Sequence, residues 1–273
     1  VKLRGGLDAQ GRVVAFEAKV ACPSILDHLM PGTRKGGADF SAVRSLNDMP
    51  YAIANQYVGY SPRNGTVPVG FWRAPGQQNV VYRECFLDEL AHAASRDPLE
   101  LRTSMLAPDD KNRRVLEAAA KAAGWGTPLP AGVGRGLAVA DGFGSYAAGV
   151  AEVTVEPGGG LRVLRFVVAI DSGHVVNPDG CLAQAEGNAI YALGALFEAN
   201  TLEDGRIRES NFHDFPLPTI GDMPKRIELQ KQIEDIAWNK DPMGAPLQTL
   251  GFQMACRSNV TGWWWQSPMS AIT

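Results

Sequence analysis

With 273 residues, 45% hydrophobic and 20% charged, the chain has apolar material for one large core or two modest ones, which excludes the disordered and fibrous classes. A formal net charge of −3, with no Lys/Arg run longer than a dipeptide, gives a polyanion no electrostatic reason to bind, so nucleic acid is not an expected partner. No apolar stretch approaches the ~20 residues that cross a bilayer, and no membrane span is expected.

Val1 stands inside strand-like sequence with neither an initiator Met nor a signal peptide, as an internal stretch of a longer protein would. Residues 1–21 alternate apolar and polar positions around Asp8-Ala9-Gln10-Gly11, the pattern of a two-strand hairpin. Residues 22–68 are rich in Gly, Pro, Asn and Asp, so irregular connections and short strands such as Tyr57-Val58-Gly59-Tyr60 are expected there. After Pro75-Gly76 the residues Val80, Glu84, Leu87, Ala91 and Ala94 recur at helical intervals, with Phe86 and Leu90 widening the stripe, and this predicts a helix ending near Ser95. Asp97 as N-cap and Pro98 at the first helical position predict a second helix through Leu106. Asp109 or Asp110 starts a third through Ala123, closed by Gly124.

Residues 124–136 read as a Gly/Pro-rich link, after which β patterning returns. Two Val-rich strands, 149–155 and 161–170, flank the turn Glu156-Pro157-Gly158-Gly159-Gly160, which lacks the Gly-Lys-Ser/Thr and following helix of a phosphate loop. Asn177-Pro178-Asp179 then starts a segment with helical spacing over 183–197. The fold class is α+β, with mixed sheets and a three-helix stretch. Cys22, Cys85, Cys181 and Cys256 form no C-x-x-C pair, so neither a zinc site nor an iron–sulfur cluster has its usual spacing.

Three ordered blocks carry a family resemblance. Val69-Gly70-Phe71-Trp72-Arg73-Ala74-Pro75-Gly76, then Glu84-Cys85-Phe86-Leu87-Asp88-Glu89-Leu90-Ala91 and Asp97-Pro98-Leu99-Glu100-Leu101-Arg102, resemble the "WRAPG … E…DELA … DPLEFR" block of molybdopterin-binding large subunits. The second block, 169–180 followed by Gln184-Ala185-Glu186-Gly187, is similar to "DCGRVVNPDG … Q-x-EG", with Ser172 in place of the usual Cys. The third, Ser210-Asn211-Phe212-His213-Asp214-Phe215-Pro216-Leu217, resembles the "SNFHDYP" stretch of the isoquinoline oxidoreductase branch. The chain thus looks like part of a molybdenum hydroxylase (xanthine oxidase family) large subunit, of the isoquinoline 1-oxidoreductase and bacterial aldehyde dehydrogenase type. The implied domain is a partial molybdopterin-binding domain over 1–224, with a divergent tail over 225–273.

The resemblance implies molybdopterin as cofactor and an aldehyde or N-heterocycle hydroxylated with water as oxygen source. It also implies that electrons leave to an iron–sulfur small subunit. By motif position, Arg73, Ala74 and Gly76 lie in a cofactor-side turn and Gln184 is the pterin-contacting amide. A guanidinium and a two-sided amide suit a polar, anionic pterin phosphate. Taken without the resemblance, Arg73 reads as a surface salt bridge and Gln184 as a helix-capping amide. His174 and His213 are single and lack a ligand partner at short spacing. Asp88 and Glu89, one residue apart, diverge by ~100° around a helix, so at most one faces a pocket.

The family's glutamate base sits in a Gly-rich "GxGEPG" segment, and nothing after Pro224 matches it. Residues 225–238 look helical, and Glu228 and Glu234 have no motif around them, so no catalytic residue is assigned. A non-catalytic module retaining the scaffold for protein association is the alternative reading.

Overall fold

The computed structural model describes residues 1–34, 37–65, 69–71, 77–197 and 200–215. By contacts the chain divides into two compact units, Val1–Ala185 and Glu186–Thr273.

The first unit begins with the expected hairpin, strands β1 (Lys2–Leu7) and β2 (Val13–Cys22), paired antiparallel. Its turn is fixed by Asp8, whose Oδ1 accepts the Gln10 and Arg12 backbone N–H groups at 2.9 Å each. Strand β3 (Asn55–Pro62) joins β2 in parallel, so the sheet order is β1-β2-β3. A parallel joint needs a crossover. Here it contains two short helices, α1 (Ile25–Leu29) and α2 (Phe40–Val43), in a stretch whose sequence reads as irregular. One fully buried carboxylate starts both: Asp39 accepts from Ser41 N at 2.8 Å, and also from Leu26 N at 3.0 Å and Ser24 Oγ at 2.8 Å.

Three helices then run in succession as the spacing predicts: α3 (Gln77–Ala93), α4 (Pro98–Thr103) and α5 (Lys111–Ala123). Asp97 caps α4 through Leu99 N and Glu100 N and also accepts from Trp125 Nε1 at 2.9 Å. Helix α4 stops at Thr103, short of Leu106, because residues 104–106 fold into turns and the Met105 carbonyl accepts from Ala52 N at 2.9 Å instead. Asp110 caps α5, and Gly124 closes it in the left-handed conformation at φ 70°, which an L side chain resists. Strand β1 lies close against α3: a Cβ on Gly5 would fall 2.8 Å from both methyls of Leu90.

The second sheet is an antiparallel meander, β4 (Val133–Gly142), β5 (Ser145–Val155) and β6 (Leu161–Asp171). Strand β4 lies partly in the stretch that reads as a link. Its glycines weaken the strand pattern, and only Leu137 and Val139 reach the core. Helix α5 packs on all three strands and buries Val115, Leu116, Ala119 and Ala123. Phe16, Leu87, Leu116, Val139 and Val150 belong to one apolar cluster, which joins the first sheet, the helices and the second sheet. On the other face of β6, Phe166, Val168 and Ile170 are exposed.

Helix α6 (Pro178–Phe197) runs from the first unit into the second. Asn177 starts it, its Oδ1 accepting Gly180 N at 2.9 Å and its carbonyl accepting Cys181 N at 3.1 Å. The described part of the second unit adds the hairpin of β7 (Leu202–Glu203) and β8 (Arg206–Ile207), and a turn over 210–215.

Candidate cofactor-binding site

Helix α3 carries polar side chains where its apolar stripe meets the core. Arg83 is fully buried and Glu84 is 3% exposed. The Glu84 carboxylate accepts from Arg83 Nε at 2.8 Å, Arg102 Nε at 2.9 Å and the Tyr51 hydroxyl at 3.0 and 3.1 Å. Arg102, also fully buried, donates its other N–H groups to Asp88 Oδ1 at 2.7 Å, Pro98 O at 3.1 Å and Glu84 O at 2.9 Å. Arg83 reaches Ser45 O and Val139 O, each at 2.9 Å. Two guanidinium groups thus face two carboxylates, and every donor named has a partner, the condition for keeping charge away from water.

Electrostatics follow from that arrangement. Burial works against the Arg102 charge, but Glu84, Tyr51 and Asp88 together outweigh it and hold the guanidinium firmly protonated. Burial, then Glu84, push the Tyr51 hydroxyl well above its ordinary value. Burial raises the Asp88 carboxyl even with Arg102 beside it. Glu84, Asp88, Asp97 and Arg102 come from the first motif block, and in the structure all four tie helices together. Sequence spacing places Glu84 in the apolar stripe of α3, and that is the available signal for a buried ion. Arg83, Tyr51 and Asn79 carry no signal of their own.

Of the residues assigned by resemblance, Arg73, Ala74 and Gly76 lie outside the described residues, as does the rest of 72–76. They precede α3 directly in sequence. Gln184 is exposed in the interior of α6, past its first turn, so it does not cap the helix. Its neighbours at three and four residues along the helix are Gly180, Cys181, Gly187 and Asn188. The rest of the second block acts locally: Asp171 accepts Gly173 N at 3.0 Å, and Asn177 starts α6. Ser172 Oγ stands 3.7 Å from Cys181 Sγ. In the third block Asp214 accepts from Ser210 N, Ser210 Oγ and Asn211 N and closes a turn.

His174 and His213 are exposed, His213 Nε2 lying 3.6 Å from Asp214 Oδ2. Among the described residues no group of three His, Cys, Asp or Glu side chains could hold a metal ion. No described helix is long and apolar enough to cross a membrane. A shallow depression on the β7–β8 hairpin is lined by Glu203, Asp204, Arg206, Ile207 and Arg208, of which Arg208 and Glu203 pair at 3.5 Å.

Comparison with known proteins adds to this geometry. A nicotinate dehydrogenase subunit of Pseudomonas putida is 29% identical over 249 residues, 82% of this chain and 21% of that protein. The β subunit of isoquinoline 1-oxidoreductase from Brevundimonas diminuta is 27% identical over 226 residues, 80% of this chain and 29% of that protein. A membrane-bound aldehyde dehydrogenase from Gluconacetobacter polyoxogenes, whose name carries pyrroloquinoline-quinone, is 31% identical over 182 residues, 59% of this chain and 23% of that protein. The chain therefore spans less than a third of the length of these relatives. The family described as the molybdopterin cofactor-binding domain matches residues 35–224, which include both the α3–α4 network and Gln184. The chain accordingly belongs to the molybdopterin cofactor-binding family of the molybdenum hydroxylases, as its three sequence blocks imply.

Proposed function

We propose that this chain is the part of a molybdenum hydroxylase subunit that holds molybdopterin through Arg73, Ala74, Gly76 and Gln184. The observation that carries the reading is Gln184, an exposed amide in the interior of α6 that caps no helix end and falls within the residues matched by the cofactor-binding family. The donor set fits a polar, anionic pterin phosphate: an amide that both donates and accepts, and a guanidinium able to give two parallel bonds. When bound, the cofactor supplies the redox chemistry that hydroxylates an aldehyde or N-heteroaromatic substrate with oxygen from water. The chain's own residues orient the pterin, and electrons pass to an iron–sulfur small subunit. Residues 1–224 form the partial cofactor-binding domain and 225–273 a divergent tail.

A second reading, a scaffold that retains the fold for protein association, is supported by the exposed apolar row Phe166, Val168 and Ile170. The test is metal and pterin content of the chain purified from a host that makes the cofactor. Near one-to-one molybdenum and pterin supports the first reading. Cofactor-free protein isolated in a stable heteromeric complex overturns it in favour of the second.

A further inference from the structure

Buried charge beneath α3 acts on placement more than on stability. A buried ion pair exchanged for packed apolar side chains is often neutral or even stabilising, so Arg83, Glu84 and Arg102 chiefly determine where α3 sits. The first turns of α3 are held most specifically. Asn79 is 1% exposed, and its Nδ2 donates to Ala42 O at 3.0 Å and Arg44 O at 2.9 Å. One turn later Arg83 donates to Ser45 O and Val139 O. Ala42, Arg44 and Ser45 carry carbonyls at the C-terminal end of α2, where helix geometry leaves acceptors without partners. The acceptor segment is itself fixed, since Ser45 is held at φ 66° and its N–H donates to Asp48.

We infer that Asn79 and Arg83 are positioning residues for cofactor retention: they clamp the first two turns of α3 onto the end of α2 and onto β4. The inference rests on the cofactor reading above, because it is the placement of α3's start that it makes functional. Both side chains are buried, with Asn79 Nδ2 and the Arg83 Nη groups engaged by backbone carbonyls, so they act through the placement of α3.

The test compares Asn79→Leu, near in size but unable to donate, with Asp97→Ala, which weakens a helix cap in α4. Both are made in the full chain and purified from a cofactor-producing host. Melting temperature, released-pterin fluorescence per mole of protein, and amide hydrogen exchange over 77–80 are measured for each. For Asn79→Leu the expected result is about a tenfold loss of pterin affinity, the equivalent of about 1.4 kcal/mol, with faster exchange at 77–80. Asp97→Ala, at a comparable melting shift, should keep its pterin and its exchange pattern. Equal pterin loss at equal melting shift would make Asn79 merely structural and overturn the inference. Should Asn79→Leu be too unstable to purify, Asn79→Ser and Asn79→Gln take its place, and restored exchange protection and pterin in Asn79→Gln support the clamp. Wild-type protein without pterin defeats the cofactor reading instead. Hydrogen exchange then decides the clamp alone, unchanged exchange at 77–80 overturning it.

Discussion

Glu84 Oε2 accepts Arg102 Nε at 2.9 Å, neither side chain more than 3% exposed, and this contact binds α3 to α4 across 18 residues of sequence. Because the same carboxylate also answers Arg83 and Tyr51, removing it takes from Arg83 its hydrogen-bonded carboxylate and leaves Arg102 paired with the Asp88 carboxylate alone. Loss of one member of such a group costs about 3–5 kcal/mol, whereas loss of both members of a pair costs much less than the sum. Glu84→Ala and Arg102→Ala should each be strongly destabilising in urea unfolding, and the double variant clearly sub-additive. Additive losses would show that the two residues act independently.

Asp97 joins the end of one helix to the residue that follows another. Its Oδ1 accepts Leu99 N and Glu100 N, and its Oδ2 accepts Trp125 Nε1. Asp97→Ala should cost about 1–2 kcal/mol, as loss of a helix cap does, and Asp97→Asn, which keeps an accepting oxygen, should recover most of it. Equal melting temperatures for the two variants would contradict this account.

Short-range signals specify helices α3, α4 and α5 and the first hairpin, but not α1 and α2. Asp97-Pro98, Asp110 and Gly124 each act through their own backbone neighbours, so their effect is written within a few residues. Strand β4 is hidden because Gly134 and Gly136 weaken its pattern, and it is a strand through pairing with β5. The site is legible only through motif spacing. The place of Glu84 in the apolar stripe of α3 hints at its burial, but its partner Arg102 is 18 residues away and the Asn79 clamp depends on carbonyls 35 and 37 residues away. Those partners are set by tertiary structure, which no local pattern carries.

Acid should loosen the α1–α2 crossover. Burial pushes the Asp39 carboxyl up, but the hydrogen bonds from Ser41, Leu26 and Ser24 outweigh it and leave the group below its ordinary 3.8. In the window between the folded value and 3.8 the unfolded chain binds more protons, so stability falls as pH falls. The contribution is fully present above the unfolded value and is lost as pH drops through the folded one. Asp39→Asn should therefore be less stable than wild type at pH ~7, with the gap narrowing below pH ~4. A gap constant with pH, followed by thermal melts in a buffer series, would remove Asp39 from the acid response.

Turnover by the purified chain is expected to be absent with an artificial electron acceptor, even after cofactor loading. No glutamate occupies the family's base motif after Pro224, and losing a general base costs about 10²–10⁴-fold in rate. Sustained, molybdenum-dependent oxidation of benzaldehyde or isoquinoline would refute this and would point to another carboxylate, with Glu228 and Glu234 the first to replace by Gln.

Gln184 offers the most direct separation of binding from folding. It is exposed in the interior of α6, where Ala is at least as good a helix former, so Gln184→Ala should leave stability within about 0.5 kcal/mol of wild type. If its amide holds the pterin, the same change removes hydrogen bonds worth roughly 0.5–1.5 kcal/mol each, and pterin content should fall while the melting temperature does not. Arg73→Ala should lower retention further, since a charge-assisted bond to a phosphate is worth roughly 1.5–3 kcal/mol. Arg73→Lys keeps the charge but not the planar fork, and should recover only part of that loss. The measurement is released-pterin fluorescence per mole of folded protein, with thermal melts run on the same samples. Wild-type pterin content in both alanine variants would remove Arg73 and Gln184 from the site. Loss in Arg73→Ala alone would keep Arg73 in the site and discard the α6 amide.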